Sequence, residues 1–358
     1  MKYQGIILLL ISLILCSAPA FAQEKVQPKK GDGVRSLLIR HNRPGVEYQK
    51  QFIELNKKKL GKGNSLLMGV SYTLPPLRKG TTTLKEETGK IKPQTKPQSQ
   101  AKPSGKDNYA IGTKKKEPLF GKKLAEYEIK SSELKGATFY VVSGHGGPDP
   151  GAIGKMDGHD LHEDEYAYDI GLRLARNLMM KGAKVHIIIQ DAVDGIRDER
   201  ILKNSKRETC MGAPIPLGQV ARLNQRSAKI NELNRKDGKN YARGIFIHID
   251  SRSKNKQTDV YFYHSPKTGS KQLANTMRST FADKYKRRPG RGFTGTVSER
   301  SLYVLNNTVP VSIFVELGNI HHSLDQERIV IDNNRQALAN WMCEAFVKDY
   351  TQYKKKRQ

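Results

Sequence analysis

Four side chains able to bind a metal or move a proton stand at or near the ends of apolar runs. His145 lies in Gly144-His145-Gly146-Gly147, close behind the run ATFYVV at 137–142. His248 sits near the end of GIFIHI at 244–249, and Glu316 follows VSIFV at 311–315. Glu163 opens a helical stretch that begins soon after the glycine-rich loop. A carboxylate at the end of an apolar strand is costly to bury unless it is paired, hydrogen-bonded or on a metal. Two imidazoles and one carboxylate make a workable catalytic zinc shell, with the fourth position left for water. Bound zinc lowers that water's pKa towards ~7 and polarises a carbonyl. A second carboxylate that does not bind metal can take the water's proton and pass it to a leaving amine. Glycines around His145 permit a tight turn and close approach of a substrate.

Other residues compete for these roles. His159 and His162 are three apart, and His159 and Glu163 four apart, spacings that share one helix face. Asp157-Gly158-His159-Asp160, however, reads as loop. Glu165 is an alternative to Glu163. His321 and His322 follow the fifth strand and either lie exposed or line a groove, while His186 and His264 read as structural.

These side chains need a frame. Strands are expected at 137–142, 185–189, 244–249, 260–263 and 311–315, and helices at 163–180, 219–233, 270–285 and 334–350. In the first helix Ala167, Ile170, Leu174 and Leu178 recur at helical spacing, with Gly182 as its C-cap. The strands are solid apolar runs rather than alternating ones. That pattern, with helices between strands, argues an α/β fold: a mostly parallel twisted sheet flanked by helices on both faces. Ligand sites in such sheets lie beyond the carboxyl ends of the strands, where three of the four residues stand.

The remaining chain sets the context. At 358 residues, two domains or one with appendages is the expectation. Hydrophobic residues make up 37%, which argues against a multispanning membrane protein. Lys and Arg number 63 against 35 acids, a net charge of +28 that points to a polyanionic partner or surface. Three cysteines exclude a disulfide-dense scaffold or a Cys-rich zinc fold. Met1 and Lys2, the apolar run 6–15 and Ala20-Phe21-Ala22 read as a signal peptide cleaved after Ala22. Export removes the chromosome as a partner and leaves Cys210 and Cys343, read as two separate buried thiols. Residues 23–76 form a small α+β module. It has Gly31-Asp32-Gly33-Val34 before an apolar helical pattern, a second helical stretch through Phe52, Ile53, Leu55 and Asn56, and a closing strand over 66–70 and 72–75. Residues 77–118 hold eleven Lys or Arg against four acids and few apolar residues, so a disordered linker is expected. Residues 119–358 carry the core.

Two resemblances sharpen this reading. The small module, with Gly-Asp at the start, Leu-Asn in the middle and a final Leu-Pro, resembles a LysM glycan-binding module. Gly144-His145-Gly146-Gly147-Pro148-Asp149-Pro150-Gly151-Ala152, then Glu163, the strand with His248, and Val315-Glu316-Leu317-Gly318 resemble the zinc-dependent N-acetylmuramoyl-L-alanine amidases. The resemblance implies His145, Glu163 and His248 as ligands of one zinc ion and Glu316 as the catalytic glutamate. The reaction implied is hydrolysis of the amide between the lactyl group of N-acetylmuramic acid and L-alanine of the stem peptide. Peptidoglycan is the implied partner, with room for an activator protein. No nucleic acid and no stable membrane insertion after signal cleavage are expected, and the periplasm is the preferred compartment.

The chain departs from the family pattern in places. Val142-Ser143 stand where Asp-Pro is usual, His248-Ile249-Asp250 replace His-Ala-Asn, and Asn319-Ile320-His321-His322 follow Glu-Leu-Gly. Residues 192–218 look like an insertion, read as a passive loop, and none of these departures removes a ligand or the base. Two rivals stay open at this level: a catalytically silent peptidoglycan-binding protein, and a zinc peptidase cutting another amide of the stem peptide.

Overall fold

The computed structural model describes residues 24–28, 33, 34, 37, 38, 41, 43, 46–61, 64–77, 109–238, 241–251, 257–286 and 292–357. The expected signal peptide, residues 78–108 of the expected linker, and Gly31-Asp32 of the small module lie outside them. No helix of the described residues is long and apolar enough to cross a membrane. The chain divides into two units, Met1–Pro93 and Gln94–Gln358.

In the first unit β1 (Lys25–Val26) pairs antiparallel with β2 (Tyr72–Thr73), and α1 (Val46–Asn56) lies between them in sequence. Leu37, Leu38, Tyr48, Phe52, Tyr72 and Leu74 form its core. Buried Asn56 ties helix to strand. Its amide donates to Phe52 O and Thr73 O, and its Oδ1 accepts from Thr73 N, each at 2.8 Å. The closing strand is shorter than expected: 66–70 is not part of it, because the chain turns there with Gly69 at φ +78°.

The second unit begins with a hairpin of β3 (Lys114–Lys116) and β4 (Glu126–Glu128). The last part of the expected linker is therefore folded. Lys114 faces Glu128 and Lys116 faces Glu126 across the ladder, so the lysine run meets opposite charge. The main sheet comprises β5 (Ala137–Ser143), β8 (Lys184–Ile187), β12 (Tyr241–Asp250), β13 (Tyr261–His264), β14 (Thr296–Glu299) and β15 (Val311–Asn319). Its order is β14-β13-β15-β12-β5-β8. All neighbours run parallel except β13 and β15.

Both faces are covered, which is why the strands read as unbroken apolar runs. Phe139, Val141, Ile245, Ile247, Ile313 and Val315 point into one core, beneath α2 (Glu163–Met180), α4 (Ser270–Tyr285) and α7 (Asp332–Lys355). Tyr140, Val142, Phe246 and Phe314 point to the other, against Ile230 of α3 (Gln219–Asp237) and Val304 and Leu305 of α5 (Tyr303–Asn307). Helix α2 occupies the expected residues. Glu163, Asp164 and Glu165 fill its first turn, at the positive end of the helix dipole. Its C-cap is Lys181, and Gly182 follows at φ +83°.

Two differences bear on the site. Asp157-Gly158-His159-Asp160, read as loop, belong to the hairpin of β6 (Ile153–Met156) and β7 (His159–His162). Asp157 and Gly158 both have positive φ, as a two-residue hairpin turn requires. The expected insertion is not all loop: β10 (Thr209–Cys210) and β11 (Ala213–Pro214) join β9 (Ile189–Gln190) in a small sheet. Cys210 and Cys343 are separate buried thiols.

Candidate active site

The carboxyl ends of β5, β12 and β15 and the start of α2 bring the expected residues to one edge of the sheet. Immediately beyond β5 the chain turns sharply, with His145 at φ +57°, Gly146 at +98° and Gly147 at +62°. A left-handed conformation at a non-glycine residue costs on the order of 1–3 kcal/mol and persists only where the surroundings hold it. Here Gly146 N donates to Asp149 O at 2.8 Å, and Arg226 of α3 donates to His145 O.

The imidazole of His145 lies between two carboxylates. Nδ1 is 2.9 Å from Asp149 Oδ2, and Nε2 is 3.2 Å from Glu163 Oε2. Burial alone would push this imidazole's pKa down, but Asp149 and Glu163 outweigh it and raise it to about 10. Asp149 is held in turn by Arg222 of α3. Burial pushes the Asp149 carboxyl up, and His145 and Arg222 bring it down to about 2.

Glu163 is buried and fully engaged. Oε1 lies 2.9 Å from His248 Nδ1 and accepts from Ile249 N at 3.1 Å, while Oε2 accepts from Ala152 N at 2.8 Å. Burial opposes its ionisation, yet the two histidines hold its pKa well below the usual carboxylate range. His248 stacks on Phe314 of the next strand, with centroids 4.2 Å apart and planes 14° apart. It meets the His145 ring edge-on at 5.0 Å. Burial lowers the pKa of His248.

Two glycines make this packing possible. A Cβ on Gly144 would stand 2.4 Å from the His248 ring. One on Gly151 would stand 2.6 Å from Glu163 Oε2 and 2.7 Å from His145, at φ +71° besides.

His145, Glu163 and His248 each offer a ligand atom, all within 4.8 Å of one another. Glu316 is the direct partner of His248 in the β12–β15 ladder, so both side chains project from the same face of the sheet. Glu165, the alternative to Glu163, points elsewhere: Arg197 Nη2 donates to it at 2.8 Å, and so does Ser205 N. His159 and His162 belong to β7 rather than a helix, and His159 is exposed. His321 and His322 immediately precede α6 (Ser323–Val330) and are half-buried. His186 stacks on Tyr140 and lies 2.8 Å from Asp237, and His264 is buried against Ser265 O. Sequence reasoning missed Asp149, Arg222, Arg226 and Glu208, whose Oε2 accepts from Gly147 N at 2.8 Å. Asp149 alone left a trace, as an acid four residues after His145.

The arrangement offers nitrogen and oxygen donors converging at the strand ends, with a further carboxylate on the next strand. The family model described as N-acetylmuramoyl-L-alanine amidase matches residues 140–348, more than half of the chain. The chain belongs to the N-acetylmuramoyl-L-alanine amidase family. This amidase is a hydrolase of peptidoglycan. Among solved structures it is similar to an N-acetylmuramoyl-L-alanine amidase from Clostridium difficile 630. The identity is 20% and the TM-score 0.43, over 61% of this chain and 97% of that one. It is similar also to the amidase AmiC2 of Nostoc punctiforme, at 20% identity and TM-score 0.42, over 62% and 99% of the two chains. The CwlD amidase of Clostridioides difficile, solved in complex with the GerS lipoprotein, is 16% identical at TM-score 0.44, over 61% and 99%. No match was found among curated proteins.

Proposed function

We propose that the amidase depends on one zinc ion held by His145, Glu163 and His248, with Glu316 as general base and acid. The observation that carries this is the convergence of the three donors. On a tetrahedral zinc with bonds of about 2.0–2.1 Å, neighbouring donors stand about 3.3 Å apart. His145 Nε2 and Glu163 Oε2 are 3.2 Å apart before any adjustment. When bound, zinc supplies a Lewis acid and an acidified water. The chain's own residues do the rest. Asp149 accepts from His145 Nδ1, leaving Nε2 free to donate its lone pair. Phe314 and Gly144 fix the plane of His248. Glu316 takes the proton of the attacking water and delivers it to the departing L-alanine nitrogen. Water is thus divided between a lactyl carboxylate and a free amine.

The test is digestion of intact peptidoglycan by residues 23–358, with and without a zinc chelator, and identification of products by mass spectrometry. Stem peptides beginning at L-alanine, lost on chelation and restored by zinc, are expected. Products cut at another amide refute the bond assignment. Glu316→Gln should lose turnover and keep its metal, and His145→Ala should lose the metal. Retained activity in the first, or unchanged zinc content in the second, refutes those roles. The same assay decides whether an activator protein is required, since unaided cleavage by the purified chain dispenses with one.

The reading extends to the other parts of the chain. Residues 1–22 direct export, with the periplasm as the preferred compartment, and residues 23–76 act as a LysM-like wall anchor. Support for the anchor lies in the order β1, α1, β2 around a core of its own. An anchor of this kind raises the local concentration of substrate. Deleting residues 23–76 should weaken sedimentation with peptidoglycan while leaving hydrolysis of small soluble muropeptides unchanged.

A further inference from the structure

The first turn of α2 carries a second acidic group that hydrolysis does not use. Asp164 and Glu165 approach Glu208 of the 192–218 segment, and one ligand atom from each lies within 4.8 Å of the others. All three residues are buried. Glu165 accepts from Ser205 N and, at 2.8 Å, from Arg197 Nη2. Glu208 Oε2 accepts from Gly147 N at 2.8 Å, and Asp164 Oδ1 from Glu165 N at 2.9 Å. Among the described residues Asp164 Oδ2 has no hydrogen-bond partner, although the residue is only 3% exposed.

The positive groups near the cluster are shared. Arg197 pairs with Glu165 but is shared with Asp194. The positive end of α2 adds about half a charge. A buried oxygen without a partner is costly, and a cation among the three carboxylates would supply one to Asp164 Oδ2.

We propose that Asp164, Glu165 and Glu208 form a second cation site, which takes a hard divalent ion through oxygen ligands. A donor set of carboxylates alone suits Ca2+ or Mg2+ and lacks the imidazole or thiolate that favours transition metals. The ion joins the first turn of α2 to the 192–218 segment. Through Glu208 and Gly147 it also braces the loop that carries His145, without touching substrate. The site uses none of the proposed zinc ligands, so the two readings can fail separately.

The test is equilibrium dialysis of the zinc-loaded protein against Ca2+ and, in parallel, Mg2+, with metals counted by mass spectrometry and Tm followed. One zinc and one further ion per chain are expected. Saturation at a hundredfold excess over Kd should raise Tm by roughly 5–10 °C. Asp164→Asn and, from the opposite element, Glu208→Gln should each weaken the second ion at least tenfold while the zinc count stays at one. Absence of a second equivalent in the parent protein overturns the proposal, as does binding unchanged in both variants. An Asp164→Asn protein that gains stability, in a parent that ignores both ions, would show that the carboxyl holds a proton instead.

Discussion

Replacing Gly144 by alanine tests how firmly His248 is seated. The new Cβ would stand 2.4 Å from Cε1, 2.5 Å from Nδ1 and 2.7 Å from Nε2 of that ring. Ordinary contact starts near 3.4 Å, so the ring must move by about 1 Å. It has little room to do so. β12 lies between β5 and β15, and Phe314 of β15 stacks on the ring with centroids 4.2 Å apart. Gly144 is not among the positive-φ residues, so alanine is not strained there and the effect is confined to the ring. A displacement of about 1 Å in a reacting constellation costs about 100-fold, or about 2.7 kcal/mol. We expect zinc affinity, measured by chelator competition, to fall about 10–100-fold, and kcat/KM for muropeptide cleavage to fall about 100-fold. Gly158→Ala is the control. It sits at φ +78° with nothing within 4 Å of its Cβ, so strain of about 1 kcal/mol should lower stability and spare the site. A Gly144→Ala protein that binds zinc and turns over within twofold of the parent would refute the argument that packing seats the histidine.

Three further outcomes follow from the same structure. Arg335 is fully buried and donates to Asp169, Ile329 O, Val330 O, Arg197 O and Glu199 O, so Arg335→Met should cost about 3 kcal/mol in denaturant unfolding. A loss below 1 kcal/mol would mean that the network is redundant. Asp259 is pushed up by burial, but Thr294 and Arg328 bring its pKa below the ordinary 3.8. Its contribution to stability is therefore present above the unfolded value and lost as pH falls through the lower folded one. Asp259→Asn should flatten the acid limb of a stability–pH curve below about pH 4, and an unchanged limb would assign that loss to other carboxylates. Asp149→Asn should loosen zinc about 10–100-fold by freeing His145 Nδ1; unchanged affinity would show that Arg226 and the glycine turn suffice.

The sequence was most informative where local pattern and tertiary burial agree. Helices α2 and α4 occupy the expected residues because their apolar spacing matches the faces they bury. That His145, Glu163, His248 and Glu316 gather at one sheet edge was legible because each stands near the end of an apolar run or at the start of a helix. The hairpin at Ile153–His162 was missed because its strands, IGKM and HDLH, show too little apolar alternation to outweigh their polar residues. The order of 192–218 comes from arginines distant in sequence. Arg173 and Arg335 bond to Arg197 O from 24 and 138 residues away, which no local period encodes. Lys114–Lys116 read as linker because a composition window does not register the glutamates opposite them.

The position of Arg335 has a kinetic consequence. The residue that locks the segment carrying Glu208 follows Arg197 by 138 residues, and Tyr350 of the same helix donates to Lys135 O across 215. Contacts of such separation form late, since a long loop must close before they are gained. A chain emerging from its N-terminus therefore presents His145, Glu163 and His248 long before the support behind them can set. An unfinished chain lacks α7, and with it the bonds from Arg335 and Tyr350 to these earlier segments.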